Sequence, residues 1–153
     1  DLAVRMLCII YAERQETEVR ASVSNAAGEV VLAPGIVKLP RESVFENAEA
    51  GTLGSWGWQE EVIGDIGMAV IAPPASVIKI VDLPHERRMQ CKLENGRLRY
   101  WLIGDWRRGR QHPVAPTIDN WQREVSELAK FLNKDAGVTL GAVESVAKTA
   151  NDE

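Results

Sequence analysis

Two tryptophans separated by one residue are the first candidates for ligand binding. Trp56 and Trp58 lie in the stretch "GSWGWQ", and on an extended strand they would project from one face about 7 Å apart. Indole rings at that spacing can stack on successive rings of a carbohydrate, or they can fill the core above a sheet. Gly54 and Gly57 favour the first interpretation, because strand positions without a side chain often let a ligand or another backbone approach.

Carboxylates follow these tryptophans at Glu60, Glu61 and Asp65. Two carboxylates held across a glycosidic bond are the machinery of glycoside hydrolysis. Successive side chains of an extended chain point to opposite faces, so alternation assigns only Glu60 to the face of the tryptophans. Glu60 is therefore a candidate for proton transfer, and the alternative is that these acids are solvated loop residues.

The two histidines, His85 and His112, each stand beside a proline. An unperturbed pKa near neutrality suits imidazole to general acid or base catalysis. His85 is the second candidate for proton transfer, and an inert loop residue is the alternative for both histidines.

Several motifs are absent from the sequence. It contains no GxSxG, P-loop, GxGxxG or HExxH, which excludes the commonest hydrolase, nucleotide-binding and metalloprotease interpretations. Cys8 and Cys91 lack the spacing of a zinc site, so they are read as two buried thiols, or as a disulfide if the protein is exported. No metal and no cofactor is implied.

A cationic face is predicted around the dipeptide Asn95-Gly96. This pair favours a type I′ hairpin turn, and counting outward from it sets Lys92 opposite Arg99 and Gln90 opposite Trp101. Like charges directly opposite each other destabilise a sheet, so an anion is expected nearby. That anion is either an acid from a neighbouring strand or a bound carboxylate, and Lys92, Arg97, Arg99 and Trp101 together would suit an acidic sugar.

Composition indicates an ordinary globular domain. The 153 residues are 45% apolar and 26% charged, and no apolar run approaches the roughly 20 residues of a transmembrane helix. The net charge of −4 argues against general affinity for nucleic acid. We predict one domain over residues 1–143, or the C-terminal portion of a larger one, and a frayed tail over 144–153.

The pattern of apolar residues predicts an antiparallel β-sandwich, alone or as part of a larger supersandwich. The opening run from Leu2 to Tyr11 is apolar on both faces, as in a covered central strand, and forms a hairpin with a half-exposed strand around Val19. Further strands follow, with a bend at Pro34-Gly35, a polar loop over 41–52 and a last strand "VTLGAV". One amphipathic helix from Ile118 to Leu132, capped by Thr117 or Asp119, should lie on a sheet.

The order of several segments resembles a known family. These segments are "LAPGIVKLP", "GSWGWQ", "GDIGMAVIAP", "LRYWLIGDWRRG" and "DNWQREVSELAKFL". They are similar to the C-terminal half of a bacterial domain-of-unknown-function family, catalogued as four-eight-six-one and found among polysaccharide-utilisation genes. The resemblance implies an extracytoplasmic sandwich of the galactose-mutarotase-like kind and a role in glycan breakdown. It also implies that this sandwich is partnered by the remainder of a longer chain.

Together these features predict a fragment of a carbohydrate-active protein that recognises a uronate-containing glycan, as a polysaccharide lyase or a glycosidase. The tryptophans would stack on sugars, the cations would hold a carboxylate, and Glu60 or His85 would move the proton. The alternative is a non-catalytic carbohydrate-binding or structural module.

Overall fold

Ten strands and one α-helix make up the part of the chain that the structure, a computed structural model, describes, namely residues 2–106 and 117–134. The strands are β1 (Ala3–Ile10), β2 (Thr17–Ser24), β3 (Val31–Leu32), β4 (Gly35–Val37), β5 (Ser43–Asn47), β6 (Thr52–Glu60), β7 (Gly64–Ile71), β8 (Val77–Asp82), β9 (Glu86–Lys92) and β10 (Arg97–Trp106). A short 3-10 helix, Pro74–Ser76, precedes β8, and the α-helix is α1 (Ile118–Leu132).

The strands form two antiparallel sheets that pack face to face. The first sheet has the order β1-β2-β10-β7-β6-β5, and the second has β3 and β4 on one edge of β9 with β8 on the other. A core of residues from both sheets joins them, including Val19, Leu53, Tyr100, Met89 and Cys91. The predicted mainly antiparallel β-sandwich is confirmed.

The helix has the predicted bounds and covers the outer face of the first sheet. Thr117 caps it by accepting a hydrogen bond from the backbone N–H of Asn120. Its buried side chains, Trp121, Val125 and Ala129, pack on strands β5 to β7. The rest of that outer face, over β1, β2 and the first half of β10, lies beside the helix rather than beneath it.

Strand β1 is an edge strand, so the prediction of a central covered strand is wrong. It pairs with β2 as predicted, but among the described residues no strand pairs with its other edge. Val4, Met6, Leu7 and Ile10 are half or more exposed. Apolar residues on both faces make a strand suitable for burial, but the strand is buried only if other elements pack on both of its faces.

The predicted hairpin between β9 and β10 is also wrong beyond its turn. Asn95 and Gly96 have the positive φ angles of a type I′ turn, and Glu94 pairs with Arg97. The two strands then separate into different sheets, because β10 pairs with β2 and β7 while β9 pairs with β3, β4 and β8. Turn chemistry therefore determined one residue pair, and packing between the sheets determined the rest.

Two smaller predictions had opposite outcomes. The bend at Pro34-Gly35 is confirmed, since β3 and β4 pair with successive parts of β9 on either side of it. The polar loop predicted over 41–52 contains β5, which pairs with β6. An edge strand needs few apolar residues, and here only Phe45 is buried.

The predicted strand "VTLGAV", the tail over 144–153 and His112 lie outside the described residues. Within the described residues, no helix combines the length and the apolar character that crossing a bilayer would require.

Candidate functional site

The first half of β10 carries two arginines on the outer face of the first sheet. Leu98 and Tyr100 point into the core between the sheets, so alternation projects Arg97 and Arg99 from the opposite face. Arg97 and Arg99 are both exposed. This is the face that α1 covers further along the sheet.

Arg99 lies directly opposite Arg20 of β2, and a buried carboxylate joins them. The Glu18 side chain is only 1% exposed. Its Oε1 accepts from Arg20 Nε at 2.5 Å and lies 2.9 Å from Arg99 Nε. Its Oε2 accepts from Arg99 Nη2 at 3.0 Å and from the Tyr11 hydroxyl at 2.8 Å.

Opposing effects act on the pKa of Glu18. Burial raises the pKa, while the hydrogen bonds from Arg99, Arg20 and Tyr11 lower it, with a net result of about 2. The carboxylate is therefore ionised at any physiological pH. It serves as a fixed counter-ion and has no proton to exchange with a ligand.

A groove of about 1150 Å³ lies beside these arginines, and residues of both sheets line it. We call it the cationic groove. Its described lining includes five cationic side chains and the acid Glu94, the cations being Arg5, Arg20, Lys92, Arg97 and Arg99. Five cations against Glu94 and Glu18 leave an excess of three positive charges.

Lys92, Arg97 and Arg99 are thus brought together as predicted, although by a different route. Lys92 pairs with Val31 in the second sheet and reaches the groove from the end of β9. Part of the wall, beyond the end of β7, is formed by Pro73, Ala75 and Ser76.

Trp101 supports the groove from below. Its ring is 3% exposed, and the guanidinium carbon of Arg99 lies 4.8 Å from the ring centroid. This cation–π contact orients Arg99. A sugar ring would have to displace Arg99 to stack there, so the geometry gives Trp101 a positioning role.

Trp56 lies in the core beneath α1. It is 8% exposed and packs against Trp121, with the ring centroids 6.2 Å apart. The glycines near it make room for protein: a Cβ on Gly67 would lie 2.7 Å from both Trp56 and Trp121, and one on Gly54 would enter the Phe45 ring. The geometry therefore favours the core interpretation of Trp56 over the platform interpretation.

Trp58 lies on the same face of β6 and is half-buried. The guanidinium carbon of Arg41 lies 4.8 Å from its ring centroid. Arg41 has a φ of 53°, an uncommon conformation for a residue with a side chain. Trp58 therefore makes a cation–π contact with Arg41, and it is not among the described lining of the cationic groove.

Neither proton-transfer candidate lies in the cationic groove. Glu60 pairs with Gly64 at the β6–β7 turn. Gly64 is seven positions along β7 from Ile71, and Ile71 is the residue that pairs with Trp101 of β10. His85 is in the β8–β9 turn, seven positions before Lys92. Seven strand positions correspond to roughly 23 Å, so both side chains are separated from the arginines.

Sequence reasoning missed the residues that the first hairpin contributes: Arg5, Tyr11, Glu18 and Arg20. In the sequence, Glu18 and Arg20 alternate with Val19 and Ala21, which indicates a strand with one polar face. This alternation is the signal from which Glu18 and Arg20 could have been found. What the alternation did not reveal was the pairing of β2 with β10.

The described residues show no metal-binding cluster. No group of three or more His, Cys, Asp or Glu side chains within them could hold an ion. Cys8 is exposed, so the expectation of two buried thiols is wrong for this residue, while Cys91 is buried and both are free. Cys8 lies on edge strand β1, which explains its exposure.

The comparison with known families identifies the chain. Residues 2–138 match the family described as Domain of unknown function (DUF4861). The chain belongs to this family. The predicted resemblance is confirmed, and no curated protein and no solved structure matches the chain. The DUF4861 description names no activity, so the cationic groove is the feature that bears on function.

Proposed function

We propose that this DUF4861 chain binds an acidic, uronate-bearing glycan in the cationic groove, as a recognition module of a carbohydrate-active protein. The observation that carries the proposal is the exposure of the arginines. Arg20 and Arg99 keep 54% and 53% of their side chains exposed while they share the buried Glu18. Guanidinium groups held in this way retain N–H donors for a carboxylate ligand.

Several groove properties fit an extended polyanion better than a small anion. The groove is open and about 1150 Å³ in volume, and its cations come from β1, β2, β9 and β10. Carboxylates repeated along a glycan chain could pair with several of these cations in turn. The proposal implies an extracytoplasmic location, where such polysaccharides are found.

Binding without bond cleavage is favoured over a lyase or glycosidase role for these residues. Proton abstraction beside a uronate carboxylate needs a base within hydrogen-bond reach of the sugar. Glu60 and His85 are distant from the arginines, and Glu18 is buried and, with a pKa of about 2, is too weak a base to abstract a carbon-bound proton. Catalysis stays the alternative, and a separate incubation with longer glycans tests it.

The test is calorimetric titration with tetragalacturonate and with its methyl-esterified form, which lacks the charges. We expect the acid form alone to bind, and Arg97→Ala and Arg99→Ala each to weaken binding about tenfold. Lys79→Ala, which removes an exposed cation from β8, is the matched control. If no acidic oligosaccharide binds, or if the arginine variants bind as the wild type does, the proposal is wrong.

Incubation with longer pectic and glucuronate-bearing glycans distinguishes a module from an enzyme. Ultraviolet absorbance reports unsaturated uronates, and chromatography reports new reducing ends. Binding without either product supports the module. Product release that Arg99→Ala abolishes would instead establish the catalytic alternative.

A further inference from the structure

A second depression lies at the far end of β10, on the inner face of the first sheet. We call it the Trp106 depression, and its lining includes Trp106, Gly104, Met68, Ile66 and Gln15. Its volume is about 420 Å³, within the usual range for small-molecule sites of roughly 300–1,000 Å³. Seven strand positions, roughly 23 Å, separate Trp106 from Arg99.

The Trp106 ring is both exposed and anchored. The side chain is 43% exposed, and its indole N–H donates to the backbone carbonyl of Ile63 in the β6–β7 turn. Because this hydrogen bond already holds the ring in place, a ligand that stacks on the ring would pay a smaller cost in side-chain entropy. The other four tryptophans are covered by protein: Trp56, Trp101 and Trp121 are buried, and Trp58 lies under Arg41.

Gly104 leaves part of the depression without a side chain. A Cβ built on Gly104 would meet only the carbonyl oxygen of Gly67, at 3.7 Å, so the space above Gly104 is open. The last residue pair between β10 and β2 is Leu102 with Thr17. Beyond it, the side-chain amide of Gln15 donates to the Gly104 carbonyl at 2.9 Å.

We propose that the Trp106 depression binds a neutral pyranose ring, stacked on the indole of Trp106. The apolar C–H face of such a sugar complements an exposed aromatic ring. The carboxamide oxygen of Gln15 can accept from a sugar hydroxyl. Asp105 is the one ionisable residue in the described lining, and its negative charge disfavours the uronates that the cationic groove would select.

This inference is independent of the proposed function of the groove, because the two sites differ in ligand charge and in residues. The probes are cellotetraose, mannotetraose and β-1,4-galactotetraose, observed by saturation-transfer NMR and titrated by calorimetry. We expect at least one to bind with a dissociation constant in the millimolar range or tighter. Trp106→Ala should weaken that binding at least tenfold, and Trp106→Phe should weaken it less.

Gly104→Leu provides a second, independent variant. The space above Gly104 accepts a Cβ without a clash, so this variant should fold while its side chain fills the depression and blocks the sugar. Lys79→Ala, which removes an exposed cation of β8 outside the described lining of both sites, is the control and should leave neutral-sugar binding unchanged. The inference is overturned if none of the three tetrasaccharides binds, or if Trp106→Ala and Gly104→Leu bind them as the wild type does.

Discussion

Arg20 and Arg99 face each other directly across β2 and β10, although both are positively charged. The sheet tolerates this pair because the Glu18 carboxylate, 1% exposed, hydrogen-bonds both guanidinium groups. One buried negative charge thus holds two half-exposed positive charges side by side. The result is a surface with a net positive charge and not a neutral ion pair.

Glu18→Gln should lower the free energy of unfolding by about 3 kcal/mol at pH 7, at the low end for a broken buried pair because both arginines are half-exposed. The variant keeps the shape but leaves two arginines opposed without a counter-ion, and breaking a buried charge pair is costly. Chemical denaturation measures this loss. Glu46→Gln, which removes an acid from an exposed position on β5, is the control and should change the stability little.

The same variant should alter the pH dependence of stability. The pKa of Glu18 is lowered in the folded state from 4.5 to about 2. A lowered folded-state pKa stabilises the protein above the unfolded value, and that contribution is lost as the pH falls from about 4.5 to about 2. Wild type and Glu18→Gln should therefore converge in stability across this window, and a constant difference down to pH 2 would contradict the assignment.

Trp56→Ala should destabilise the protein by about 3–5 kcal/mol, the usual cost of removing a buried tryptophan. It should not weaken the binding of tetragalacturonate by protein that remains folded, because Trp56 packs against Trp121 and lies outside the described lining of the cationic groove. Thermal melting and calorimetry separate the two effects. A fully stable variant with lost binding would restore the platform interpretation.

Gly67→Ala should cost about 1–3 kcal/mol through overpacking. Its added Cβ would lie 2.7 Å from the rings of Trp56 and Trp121, and neither ring can move far within the core. Gly28→Ala is the control, because a Cβ at Gly28 meets nothing within 4 Å. Equal stabilities for the two variants in urea denaturation would show that α1 packs differently.

Thiol labelling should distinguish the two cysteines. Cys8 is exposed, whereas Cys91 is fully buried and burial raises the pKa of its thiol. A thiol reagent should therefore modify one cysteine rapidly in the native protein and both after unfolding. The Cys8→Ser variant should lose the rapid phase, and rapid labelling that persists in this variant would contradict the burial of Cys91.

Local signals in the sequence predicted local structure well. The helix from Ile118 to Leu132 follows from its apolar period and the cap at Thr117. The turn at Asn95-Gly96 follows from the need for positive φ at both positions. Each of these features depends on residues close together in the chain.

The cationic groove depends on distant residues, so the sequence predicted its members and not their arrangement. Lys92, Arg97 and Arg99 were identified from a hairpin that does not continue past Glu94 and Arg97. An acid from a neighbouring strand was one of the expected anions, but nothing local identifies Glu18 as that acid. Which sheet a strand joins is decided by packing between layers, and alternation along one strand does not report it.

The position of β10 also affects how the groove comes into existence during folding. Arg99 and Glu18 contact each other across 81 positions of sequence, and β10 has to insert between β2 and β7, which precede it in the chain. Such non-local pairing is the slow part of folding for β-proteins. Arg20 shares β2 with Glu18, but Arg99 acquires this counter-ion only when β10 has joined β2. A ligand of the groove would therefore bind folded molecules and would slow their unfolding.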